Sequence, residues 1–170
     1  MGTGGLFLRK LRAKVASEPT GFVWVQEGRL AGSGYPASRS QAEWLVRAGI
    51  NSILTLTVDP LPPEFTRDLD VVTGHVPMQD HQPPSSDALD RAVKFVEEQL
   101  GAGKSVLVHC LAGEGRTGCV LAAYLVRTKG LDADGALAEL RKVKPQFVEW
   151  RQESSVREYA AKILASRRQQ

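Results

Sequence analysis

The chain has 170 residues and a net charge of +3, with 42% hydrophobic and 24% charged residues. This is enough for one domain with a substantial core, too little for two, and ordinary for a soluble globular protein. The mild positive balance suits an anionic substrate but lacks the clustered charge of a nucleic-acid binder, and no apolar run approaches the roughly 20 residues of a membrane span.

Residues 1–20 set Leu8, Leu11 and Val15 against Arg9, Lys10, Arg12 and Lys14, the pattern of a short basic helix or extension. Their apolar core is too short for a signal peptide, and Leu6 breaks the myristoylation pattern begun by Met1-Gly2. The domain proper is expected over 21–166. FVWVQEGRLAGS (22–33) reads as a strand, a turn at Glu27-Gly28 and a second strand. Ser38 is placed to cap a helix to about Ala48, with Trp44, Leu45 and Ala48 facing inward. INSILTLT (50–57) is a buried strand, and the Pro-rich LPPEF after it breaks regularity. DVVTGHVPM (70–78) is another strand, and QDHQPPSSD (79–87) a loop with helix-capping residues at its end. Leu89, Ala92, Val93, Val96 and Leu100 then make a helical stripe. KSVLVH (104–109) is nearly continuous in apolar residues, as the middle of a parallel sheet requires. TGCVLAAYLVRTKG is apolar on almost every side and predicts a buried central helix. LDADGALAELRKVKP and FVEWRQESSVREYAAKIL supply two more helices. The alternation predicts an α/β domain, a central, mostly parallel sheet flanked by helices.

Between the apolar strand and the buried helix stands HCLAGEGRTG (109–118). A turn that cradles an anion must present successive backbone N–H groups inward. Gly113 and Gly115 permit the dihedrals and the close approach this needs, and the following helix adds its positive dipole end. No Gly-Lys-Ser/Thr follows, so this is not a Walker A loop. The same N–H groups favour a thiolate, which makes Cys110 a nucleophile. Arg116 offers a planar fork to two oxygens of a phosphate. Thr117 offers a hydroxyl that can stabilise the sulfur as a leaving group. A lone cysteine is usually a small hydrophobe and a lone arginine a surface charge; the two together with Gly-x-Gly, between strand and helix, are specific. Two cysteines, Cys110 and Cys119, cannot build a disulfide framework, which points to a reducing, cytoplasmic setting.

This stretch resembles the signature loop of the cysteine-dependent protein phosphatases: His-Cys, five residues, Arg, then Ser or Thr. Its Gly-x-Gly-Arg-Thr-Gly ending resembles the dual-specificity branch. WVQEGRLAGSGYP, PMQDHQPPSSDALDRAV and RKVKPQFVEWRQE resemble further parts of the small atypical enzymes, including the minimal archaeal ones, with Lys144 where an arginine is common. The resemblance covers residues 22 to about 160. It implies the protein tyrosine phosphatase fold and a catalytic set of Cys110, Arg116, Asp80 and Thr117. Leu111, Ala112, Gly113, Glu114, Gly115 and Arg116 would hold the phosphoryl oxygens. It puts the general acid at Asp80; Asp87 and Asp90 look like helix N-terminal residues, and Asp59 and Asp68 lie in an earlier loop. His81 would line the cleft, and His109 would be a buried strand-end residue that supports the thiolate indirectly. Cys119 is expected to be an inert core thiol.

No cofactor is implied, and no metal, since the chain carries no acidic cluster or HExxH-type set. The expected partners are phosphorylated proteins, with phosphate or vanadate able to occupy the loop; no nucleic acid, no stable membrane insertion and a monomeric state are expected. The tyrosine-recognition loop of the larger enzymes is not evident before residue 60. That argues for a shallow cleft and mixed specificity, with phosphotyrosine favoured over phosphoserine and phosphothreonine. A phosphoinositide phosphatase on the same fold would carry lysines in the loop, where this chain has Leu111 and Glu114. An RNA 5′-phosphatase would want a basic stripe, and a phosphopeptide-binding module would not need Cys110.

Overall fold

A computed structural model describes residues 18–169. The amphipathic segment expected at the N-terminus lies outside them. Three helices start where a short polar side chain takes up an orphaned N–H. Ser38 accepts from Gln41 N at 3.3 Å to open α1 (Arg39–Arg47). Ser85 accepts from Ala88 N at 3.1 Å to open α3 (Ser86–Gly101). Asp132 accepts from Gly135 N at 2.8 Å to open α5 (Ala133–Val143).

Five strands form one sheet: β1 (Val23–Gln26), β2 (Leu30–Ser33), β3 (Ser52–Thr55), β4 (Val72–His75) and β5 (Val106–His109). Their order is β1-β2-β5-β3-β4; β1 runs antiparallel to β2, and every other pair is parallel. β5 is central and buried along its whole length, which is why its sequence is apolar on both faces. The strands alternate between two cores. Leu30, Leu54, Val106 and Val108 pack with α3, α5, α4 (Gly115–Lys129) and α6 (Glu153–Arg167). Ala31, Ile53 and Leu107 face the other way, toward Leu45 of α1. α4 is buried continuously from Gly115 to Val126, sandwiched between the sheet and the other helices.

Three details correct the sequence reading. LPPEF does not stay irregular: Pro63 opens a one-turn helix, α2 (Pro63–Thr66), because the first helical position needs no N–H. The inner face of α1 is Ala42 and Leu45, with Trp44 half-buried against the same core and edge-on to Phe22, while Ala48 falls at the C-cap and is only half-buried. The last helix does not begin at Phe147. Val148 takes a φ of +65°, a 3₁₀ turn spans Trp150–Gln152, and α6 starts only at Glu153. Phe147 and Val148 are held in the core, so the chain dives under α4 before it can turn helical. No helix among the described residues is long and apolar enough to cross a membrane.

Candidate active site

Ser33, His109 and Thr55 stand side by side in register at the carboxyl ends of β2, β5 and β3. The loop from Cys110 to Glu114 leaves this edge and enters α4. Open parallel sheets bind ligands at that edge, where the chain order reverses.

The loop is shaped from outside. The Cys110 carbonyl faces His109 Nδ1 at 3.2 Å, and the Leu111 carbonyl accepts from Tyr35 N at 2.9 Å. Lys144 Nζ donates to the Gly113 carbonyl at 2.9 Å. The Glu114 carbonyl accepts from Gly118 N at 2.9 Å and Val148 N at 3.2 Å. In a trans peptide the N–H points opposite to the C=O, so the N–H groups of Leu111, Ala112, Glu114 and Gly115 turn to the inner side. Gly113 N donates to Cys110 Sγ at 3.3 Å. Gly113 can do this because its φ is +74°; a Cβ there would fall 2.3 Å from the carbonyl carbon of Ser33. Gly115 is needed for proximity instead: a Cβ would meet Gln152 Oε1 at 2.3 Å and Glu149 Oε1 at 2.9 Å.

Arg116 follows in the first turn of α4 and is buried. Its Nη1 donates to the Met78 carbonyl at 3.1 Å, and its Nη2 lies 3.0 Å from Asp80 Oδ1. Its Nε, on the same edge of the fork as Nη2, is buried and has no partner among the described residues. Thr117 Oγ1 is likewise buried and unpartnered. Buried polar groups left without partners are rare, and two beside an inward-facing set of N–H groups make an oxyanion site. Leu111 and Ala112 are exposed at its rim, Glu114 half-exposed.

The structure brings Asp80 to Arg116 and pairs Asp87 and Asp90 elsewhere. Asp87 pairs with Arg91 at 3.2 Å, one turn along α3. Asp90 pairs with Lys94 at 3.0 Å and Arg127 at 2.7 Å. His109 is fully buried between Thr55 Oγ1, at 2.8 Å from Nε2, and the Cys110 carbonyl. With Nδ1–H donating to that carbonyl, Nε2 accepts from the threonine hydroxyl, and the ring is neutral. Burial pushes its pKa down to about 4. Cys119 lies in the core on α4, where burial pushes its thiol up to about 12.

Glu149, Gln152, Lys144 and the Met78 carbonyl escaped the sequence reading as parts of this site. Gln152 Nε2 donates to the Gln82 carbonyl at 3.1 Å and so ties the 3₁₀ turn to the loop that carries Asp80. Only Pro145, which ends α5, hinted that the backbone after it is irregular.

A strand, an N–H-lined turn holding a cysteine, and a buried arginine opening a helix form a pocket fit to hold an oxyanion beside a thiol. Comparison with known proteins agrees. The family model described as Swiss Army Knife protein, DSP-PTPase phosphatase domain, matches residues 19–170. The chain belongs to this family, as a small atypical dual-specificity phosphatase of the cysteine-dependent protein tyrosine phosphatase superfamily. It is 38% identical over 107 residues to the dual specificity protein phosphatase Mpk3 of Drosophila melanogaster, covering 61% of this chain and 25% of that protein. It is 32% identical over 85 residues to the phosphatidylglycerophosphate phosphatase PTPMT1 of Arabidopsis thaliana, covering 48% of this chain and 25% of that protein. The matches thus span about a quarter of these relatives' length. Among solved structures, Tk-PTP in the active form superposes with a TM-score of 0.75 at 32% identity, covering 84% of this chain and 97% of that one.

Proposed function

We propose that the protein hydrolyses phosphotyrosine, and with it phosphoserine and phosphothreonine, in protein substrates through a phosphocysteine intermediate. In the first step Cys110 Sγ attacks phosphorus. The S–P bond forms as the ester P–O bond breaks, and Asp80 gives its proton to the departing oxygen. The Nε and Nη2 edge of Arg116 and the inward N–H groups of the loop hold the equatorial oxygens and their growing charge. In the second step water attacks phosphorus, Asp80 takes its proton, and the S–P bond breaks. Thr117 Oγ1 donates to the departing thiolate. His109 acts on the loop through the Cys110 carbonyl and touches no substrate.

The observation that carries this reading is the convergence of Cys110, the unpartnered Arg116 Nε and Asp80 on one loop. Rapid quench with a slowly hydrolysed phosphopeptide should give protein phosphorylated on Cys110, and Cys110→Ser should abolish both the adduct and turnover. Turnover that survives in Cys110→Ser would rule out the nucleophile. A wild-type protein that binds phosphopeptide without turnover would make the domain a binding module. The plant relative raises a second substrate, a phosphorylated glycerolipid. The half-exposed Glu114 carboxylate in the loop opposes an anionic headgroup. Vesicles carrying phosphatidylglycerophosphate, assayed beside phosphotyrosine and phosphoserine peptides, decide between them.

A further inference from the structure

His81 sits between two carboxylates. Its Nδ1 lies 3.2 Å from Glu149 Oε2, and its Nε2 lies 3.6 Å from Asp80 Oδ2. Asp80 reaches Arg116 Nη2 through its other oxygen at 3.0 Å. The main-chain N–H of His81 donates to that same oxygen at 3.0 Å. A line of alternating charge therefore runs from Glu149, before the 3₁₀ turn, through His81 and Asp80 to Arg116 at the start of α4. The backbone is bent to make it: His81 takes a φ of +56°, a left-handed conformation uncommon for residues other than glycine. The far end of the line is anchored too, since Glu149 Oε1 packs against Gly115.

Resting on the reading of Asp80 as the general acid, we propose that His81 is a positioning residue, an imidazolium latch that ties Asp80 to Glu149 and holds the acid loop against the catalytic loop. Three charged groups face the ring: Asp80 from its own loop, Glu149 from the segment before the 3₁₀ turn, and Arg116 from α4. The hydrogen bond to Glu149, followed by the charges of Asp80 and Glu149, holds the His81 pKa above its ordinary value, against the opposing charge of Arg116. Protonated, the ring hydrogen-bonds Glu149 through Nδ1 and presents its charge to Asp80 at 3.6 Å. Neutral, it can keep a hydrogen bond to Glu149 but loses the charge that faces Asp80. The latch is closed below the raised pKa and loosens as pH climbs through it. A simpler account is an exposed loop histidine with incidental surface pairs, which contribute little.

His81→Asn separates the two accounts. Asparagine tolerates the left-handed backbone but is too short to span the carboxylates. The full chain is assayed on phenyl phosphate, whose leaving group needs a proton, and on p-nitrophenyl phosphate, whose leaving group departs unaided. We expect kcat/KM on phenyl phosphate, which reports the leaving-group step alone, to fall roughly 3–30-fold, part of the 10²–10⁴-fold that general acids contribute, with less than about twofold change on the nitrophenyl ester. The alkaline fall of kcat/KM on phenyl phosphate should also lose the inflection that follows His81. NMR titration of the His81 ring should show its pKa dropping in Glu149→Gln. Wild-type kcat/KM on both esters in His81→Asn, equal losses of kcat/KM on both, or an unmoved His81 titration in Glu149→Gln would each overturn the latch. If Asp80→Asn is itself selectively slow on phenyl phosphate, the acid assignment survives that failure; if Asp80→Asn treats both esters alike, acid and latch fall together.

Discussion

The two halves of the site are held in opposite ways. The cysteine loop is fixed through its own carbonyls: two are taken up by Tyr35 N and Val148 N of distant segments, and two by the side chains of His109 and Lys144. The loop that carries Asp80 is docked by side chains, the buried Arg116 and Gln152 and the exposed His81. Asp80 is 41% exposed and its partner Arg116 only 4%. A buried frame of hydrogen bonds costs nothing to reorganise when charge develops, which suits a group that stabilises a transition state. A general acid must exchange its proton with solvent between turnovers, and an exposed loop permits that. One half is rigid by packing, the other placed by charge.

The largest expected effect tests the charged half. Asp80→Asn should lower kcat/KM on phosphopeptides by roughly 10²–10⁴-fold and on p-nitrophenyl phosphate much less, since kcat/KM reports the first step alone, as steady-state kinetics on the two substrates will show. If Asp87→Asn did this instead, the acid would be misplaced.

The rigid half breaks through its backbone. Gly113→Ala sets a Cβ 2.3 Å from the Ser33 carbonyl carbon at a φ of +74°. Left-handed strain and overpacking together should cost about 2–5 kcal/mol in urea unfolding, and activity should fall with the loop's shape. Free tolerance of alanine would mean the loop is softer than its carbonyl frame suggests.

Acid weakens the rigid half as well. His109 titrates near 4 in the folded chain against an ordinary 6.5. Its folded pKa is lowered, so its contribution is fully present above about 6.5 and is lost as pH falls toward 4. The full difference amounts to about 3 kcal/mol, since the ring takes a proton in the unfolded chain while the buried ring stays neutral. Denaturant melts at pH 7.5 and 5 should show about 2 kcal/mol of this loss in the wild type and a smaller one in His109→Gln.

The smallest effect concerns the second cysteine. With its thiol held up near 12 and no surface exposed, Cys119 should stay unmodified while peroxide oxidises Cys110. Cys119→Ser should change turnover less than about twofold, and bound phosphate or vanadate should protect the enzyme. Peptide mass mapping checks both, and a disulfide between 110 and 119 as main product would show that Cys119 is within reach after all.

Much of this was legible because it is local. Apolar residues repeating along α3, the unbroken run in β5 and the capping residues Ser38 and Ser85 declare helices and strands within a few residues of themselves. Cys110, Gly113, Arg116 and Thr117 share one turn and one helix start, so ten consecutive letters carry the anion-binding half of the site. Asp80 is thirty residues away, and no spacing rule links it to Cys110; only likeness to a family pointed there. Glu149 and Gln152 carried no signal of their own, and Lys144 only the family's common arginine, because their places depend on how the chain after α5 packs under α4. Val148 shows why: buried apolar contacts hold it at a φ of +65°, against local preference, and that turn swings Glu149 and Gln152 onto Gly115. Period and turn chemistry act over one or two turns of chain, so the sequence alone determined the strands, the flanking helices and the glycine-rich turn that holds Cys110. Which distant side chains close around that loop was decided by the burial of apolar surface across the whole domain, and that only the tertiary structure expresses.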